Sequence, residues 1–141
     1  GLVAITPACG FVTVPSSIVI GFVAAIVSNL VVSWKNKSNI LHDSLDVFPC
    51  HGVGGMVGML MTGIFANTAV NSANTTGNGL AFGDTKLFLL HLLAMAMVAA
   101  FAFFGSLLLL KLTDLISPLK VSDEQSKLGL DFSQHGENVM S

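Results

Sequence analysis

The chain contains no arginine, and Asp, Glu, Lys and Arg together make up only 10% of its 141 residues, leaving a net charge of −2. Without a basic block there is no electrostatic footprint for nucleic acid, and no nucleic-acid partner is expected. Cysteine is sparse. Cys9 and Cys50 sit in apolar segments with no metal-like spacing, and no third ligand accompanies Cys50 and its neighbour His51, so neither a disulfide nor a metal site is expected. No initiator methionine precedes Gly1, and no basic segment leads into a cleavage site. No signal peptide is read, and the chain is expected to begin inside a larger protein. The acids and histidines supply no nucleophile with its base in a closed pocket, so the chain is not read as an enzyme, and no cofactor is expected.

What is present is apolar. Hydrophobic residues make up 52% of the chain, and the mean hydropathy is +0.78. Three windows are free of Asp, Glu, Lys and Arg: Gly1 to Trp34, Val47 to Gly83 and Leu87 to Leu110. A helix needs about 20 residues to cross a hydrocarbon core of roughly 30 Å. Residues 16–34, 46–66 and 86–113 each suffice, which predicts an all-α, polytopic transmembrane helical bundle seated in a lipid bilayer. Residues 1–14 read as the end of a truncated span broken at Thr6-Pro7, and Pro15 opens the next helix where a missing N–H does no harm.

Trp34 followed by Lys35 and Lys37 makes the 35–42 loop cytoplasmic under the positive-inside tendency. The second span then runs outward, and the Asn/Thr/Gly-rich tract from Asn67 to Gly79 reads as an outer surface loop. Its Asn74-Thr75-Thr76 also matches the short N-glycosylation sequon. The third span returns to Lys111, Lys120 and Lys127, placing residues 117–141 in the cytoplasm. A helix over 86–113 is about 42 Å long, longer than the core is thick, so it must tilt or protrude. Ser117-Pro118 ends it, and Ser122 to Gln125 has the form of a capping box.

Within the second span a single imidazole, His51, lies in otherwise uncharged sequence. An ionisable group in a span is a functional-site hypothesis by default. Asp43, Val47 and His51 are spaced by four, and Gly54, Gly55 and Gly58 are expected to continue the same stripe. Glycines 52, 54, 55 and 58 would let neighbouring helices approach closely. Burial pushes an imidazole towards its neutral form, which has one donor and one acceptor nitrogen, so His51 could dock a small polar molecule or relay a proton. Asp43 and Asp46 are first of all helix-start acids favoured by capping and the macrodipole. Thr6 either returns its hydroxyl to a local carbonyl or faces a pore. Asn29 is expected to bond between helices, and His91 to sit at the membrane interface.

Three motifs in order carry a resemblance: Gly1-Leu-Val-Ala-Ile-Thr-Pro-Ala-Cys-Gly10; the Asp46-to-Gly55 run with its Met61-Thr-Gly-Ile-Phe-Ala66 ending; and Gly129-Leu-Asp131 with His135-Gly-Glu137. Together they resemble the ammonium transporter family (Amt/Mep/Rh) over nearly the whole chain, which looks like its C-terminal part. The resemblance implies an inverted-repeat fold in a homotrimer, serving nitrogen uptake across a bacterial inner membrane. It implies transport of ammonium or ammonia through a hydrophobic pore lined by a histidine pair, of which His51 matches one member. Val47 and Thr6 match pore-lining positions, and Asp43 matches a structural acid near the start of the pore helix. Asp131, His135, Gly136 and Glu137 match a cytoplasmic regulatory tail that meets a PII-type signalling protein in many bacteria. Val139-Met140 stands where an Ala-Tyr pair is usual in the family, and Cys50 where an aliphatic residue is common. The partner histidine and the outer aromatic residues match nothing in this chain, so these residues alone are not expected to conduct. An ammonium sensor that signals through the tail without significant flux is the alternative.

Overall fold

A computed structural model describes residues 1–38, 41 and 43–137. Among these there are helices and turns and no strand, and three helices are long and apolar enough to cross a membrane. Val139 and Met140, and residues 39, 40 and 42 of the predicted cytoplasmic loop, lie outside the described residues. The chain divides into two compact units, Gly1–Val98 and Ala99–Ser141.

The first unit opens with α1 (Leu2–Ile5), which tightens into a 3₁₀ turn over Thr6–Ala8 and stops as Cys9 becomes extended. Gly10 turns the chain at φ 81°. Helix α2 (Val14–Ser38) is capped by Thr13, whose hydroxyl oxygen accepts from the Ser16 amide at 3.4 Å. Pro15 falls in its first turn, where no N–H is required. The helix exceeds the predicted 16–34 at both ends. Its extra C-terminal turn has a physical cause: Lys35 is buried and reaches forward to the Asp43 carbonyl and the Asp46 carboxylate, while the Ser38 hydroxyl donates to the Lys35 carbonyl.

The second spanning helix comes in two parts. Asp46 stands just outside it with φ 54°, a left-handed conformation that Asp tolerates better than most residues. A wide π-helical stretch then covers Phe48–Val53, and a regular helix, α3, covers Gly54–Phe65. Ala4, Ala8, Ile20 and Ala24 form the buried core between α1, α2 and α3, with Ile5, Val12, Val57, Met61 and Phe65 packed around it. A core this small works because alanine and glycine let the backbones approach. An ideal Cβ built on Gly58 would lie 2.2 Å from the Ala4 carbonyl oxygen, so only glycine fits there.

The polar tract beyond α3 is an ordered loop. Asn67, Asn71 and Asn74 each accept from the amide two residues on, the Asx turns that short polar side chains form readily. The Asn67 amide donates to the Phe11 carbonyl and the Gly79 amide to the Ala66 carbonyl, tying the loop to the turn before α2 and to the end of α3. After a 3₁₀ turn over Leu80–Phe82, the Asp84 carboxylate caps α4 (Lys86–Ile116) through the Lys86 amide. This helix is about 46 Å long at about 1.5 Å per residue. It ends before Ser117-Pro118, with the Asp114 carboxylate accepting from the Leu119 amide.

In the second unit the capping box forms as the sequence predicts: the Ser122 hydroxyl oxygen accepts from the Gln125 amide, and the Ser122 amide donates to the Gln125 side chain. It starts α5 (Asp123–Leu128), which is followed by a wide turn over Asp131–His135. Ser133 donates back to the Gln125 carbonyl.

Candidate functional site

His51 lies in the middle of the π-helical stretch, and its ring is exposed without a hydrogen bond among the described residues. Two features open the helix here. Pro49 has no amide hydrogen to donate, and the Gly54 amide reaches back five residues to the Pro49 carbonyl as well as to that of His51. Such wide turns are rare and tend to sit at functional positions. Val47, one turn earlier, is half exposed.

Asp43 prepares this segment. Its two carboxylate oxygens accept from the Val47 amide at 3.0 Å and the Phe48 amide at 2.7 Å, closing the helix start. These amides, Phe48's first and then Val47's, hold its carboxyl below the ordinary aspartate range. Asp46 does something else. Its carboxylate pairs with Lys35, which is only 6% exposed, and this pins the end of α2 to the start of the His51 segment. The sequence pointed to Lys35 only as a marker of sidedness; the eleven-residue gap to Asp46 carries no recognisable signal.

The glycines do not share the exposed face of His51. Gly54 faces Ser28 of α2, Gly55 faces Val3 of α1, and Gly58 lies against the Ala4 backbone; Gly52 faces the Phe48 ring of its own turn. The expected single stripe is therefore split, because the wide turn changes the register between His51 and α3. Thr6 is exposed, and its hydroxyl donates to the Leu2 carbonyl at 2.7 Å, the local of the two alternatives. Asn29 donates to Ala25 of its own helix rather than between helices.

His91 is not simply interfacial. Its Nδ1 lies 2.9 Å from the Met59 carbonyl, linking α4 to α3 beside Gly63, where an ideal Cβ would lie 3.1 Å from the Phe88 Cα. His91 also lines a cavity of about 110 Å³ with Thr62 and Asn74. Of the tail residues, Gly136 takes φ 67°, and the Glu137 amide donates to the Asp131 carbonyl, closing the turn that carries His135. Among the described residues no group of three or more His, Cys, Asp or Glu side chains could hold a metal ion.

The arrangement is one imidazole exposed on an uncharged apolar helix, with both charged partners of that helix's start already satisfied. A model of the Ammonium Transporter Family matches residues 1–140. The chain is 42% identical over 139 residues to an ammonium transporter of Bacillus subtilis, covering 99% of this chain and 34% of that protein. It is 44% identical over 137 residues to ammonium transporter Amt1 of Archaeoglobus fulgidus, covering 97% and 34%. It is 38% identical over 146 residues to ammonium transporter MEP2 of Saccharomyces cerevisiae, covering 97% and 29%. The chain thus spans about a third of the length of these curated relatives. A match that runs through all three apolar helices and into the tail leaves one assignment: this integral membrane chain belongs to the ammonium transporter family.

Proposed function

We propose that this chain forms part of the wall of a pore for ammonia, with His51 as a pore-lining imidazole and Val47 beside the same path. The carrying observation is the His51 ring, exposed and without a hydrogen bond among the described residues, on a spanning stretch from Val47 to Phe65 that holds no Asp, Glu, Lys or Arg. A cation entering a dry passage loses its hydration at a cost of several kcal/mol, roughly, even after relaxation, whereas a neutral solute avoids most of that. Ammonium gives up its proton to water at the outer mouth, ammonia passes the imidazole, whose ring nitrogens can hydrogen-bond it along the way, and the proton is carried separately to the inner side, the charge that a current reads. Asp43 is structural: both of its carboxylate oxygens are occupied by amides of the helix start.

The assembly is a homotrimer in a bacterial inner membrane, with the second histidine of each pore supplied from outside these 141 residues. Residues 1–116 form the membrane region. The tail from residue 117 is cytoplasmic and regulatory, with Asp131, His135, Gly136 and Glu137 available to a PII-type partner. The compact turn over Asp131–His135, fastened to α5 through Ser133, supports that role.

The test is the His51→Ala variant of the full-length protein. Ammonium-elicited current in proteoliposomes should fall sharply; undiminished current at normal expression refutes the pore role. Rescue of growth on limiting ammonium in a transport-deficient cell supports flux, and failure of the wild-type protein to rescue would favour a sensor.

A further inference from the structure

We propose that the cavity beside His91, between α3, α4 and the loop after α3, is a second binding site for a small cation of the ammonium class, separate from His51. The Met59 carbonyl can only accept, so Nδ1 of His91 donates to it, and in the neutral ring that leaves Nε2 as an acceptor. Thr62, 3% exposed, donates its hydroxyl hydrogen to the Gly58 carbonyl at 2.7 Å and keeps lone pairs to offer. Asn74 spends an amide hydrogen on the Gly77 carbonyl at 2.7 Å, and its carbonyl oxygen, which takes the Thr76 amide, retains a second lone pair. Pro7 lines the same cavity and has no amide hydrogen at all. The lining side chains thus offer three acceptors and have placed most of their donors elsewhere. A guest that donates in several directions satisfies them.

Charge and size narrow the choice. Phe11 also lines the cavity, and an aromatic face attracts a cation. At about 110 Å³ the cavity has room for a small guest and falls well short of the roughly 300–1,000 Å³ of pockets for drug-sized ligands. The sequon at Asn74 has no part in this: its amide is committed to the loop. The proposal rests on the transport reading for the identity of the cation, and on the lining residues alone for the site.

The experiment measures binding to the full-length protein in detergent, by calorimetry with methylammonium chloride, using tetramethylammonium chloride as an equally charged probe without N–H groups. Wild type should bind methylammonium and not tetramethylammonium. His91→Asn places an amide nitrogen where Nδ1 was, so the Met59 link is kept and the remote acceptor is lost. Affinity should fall about tenfold or more with thermal stability unchanged. Phe11→Leu should weaken binding about two- to fivefold. Binding should survive in His51→Ala. The proposal is overturned if methylammonium does not bind, if both cations bind equally, or if binding persists in His91→Asn. Loss of binding in His51→Ala with retention in His91→Asn also overturns it, while leaving the pore reading intact. Undiminished current in His51→Ala sinks the pore reading without touching this one.

Discussion

Gly58→Ala adds one methyl group at the tightest point between α1 and α3. Its Cβ would lie 2.2 Å from the Ala4 carbonyl oxygen and 2.9 Å from the Ala4 carbonyl carbon and Cα. Ordinary contacts to a Cβ begin near 3.4 Å, so the α1 backbone must move by more than an ångström, and backbone has no rotamer to escape into. Overpacking of this kind costs about 1–3 kcal/mol, and removing a helical glycine returns roughly 0.5–1 kcal/mol. The net expectation is a loss of about 1–2 kcal/mol. Gly55→Ala is the internal control, because its nearest neighbour is the Val3 Cγ1 at 3.8 Å, an ordinary contact. That variant should be neutral or slightly stabilising. Heating the full-length protein in detergent and following the folded fraction by gel filtration gives the ranking directly. If Gly58→Ala melts with wild type while Gly55→Ala melts early, the packing of α1 on α3 argued above is wrong.

Three further outcomes follow from the helix starts and the site. Lys35→Met leaves the Asp46 carboxylate partly buried without its cation and should cost about 2–3 kcal/mol, less than a fully buried pair because Asp46 is 36% exposed. Adding Asp46→Leu should recover part of that loss in a double-mutant cycle, and strictly additive losses would show that the two do not interact. Asp43 has its folded-state pKa depressed by the amides it caps, so its stabilisation is complete above the ordinary aspartate range, near about pH 4, and is lost as pH falls through the depressed value. Melting temperature between pH 6 and 3 should therefore fall more steeply in wild type than in Asp43→Asn, and parallel curves would exclude the cap. For His51→Ala and His91→Asn, current and methylammonium affinity should separate as described above.

Much of the fold is legible without coordinates because bilayer spanning is written in composition. The windows free of charge, the proline inside the first helical turn and the Ser122–Gln125 capping box each depend on a few adjacent residues. What stays hidden depends on distant ones. Lys35 is a cation at a helix end in sequence and a buried anchor in space, and only the fold brings Asp46 to it. The bond from His91 to Met59 crosses 32 residues and needs Gly63 to bring the helices together. The spacing of Asp43, Val47 and His51 assumes a uniform helix; Pro49 and the wide turn around it break that assumption, so Gly54, Gly55 and Gly58 face α1 and α2 and do not continue the stripe of the ring. Asn29 is a polar residue in a span, which suggested a partner helix, but the carbonyl four residues back is nearer and suffices.

A helix that widens for a few residues behaves as though a residue had been inserted, and each residue of an ordinary helix advances the azimuth by about 100°. The segment bearing His51 is thereby indexed separately from the segment that seats against α1. Substitutions that tune the aim of the imidazole can accumulate without disturbing the seam, and the seam can tighten without turning the imidazole. Deleting a single residue between Phe48 and Val53 would merge the two registers and swing the ring to a different side of the helix, with every individual contact of α3 left in place.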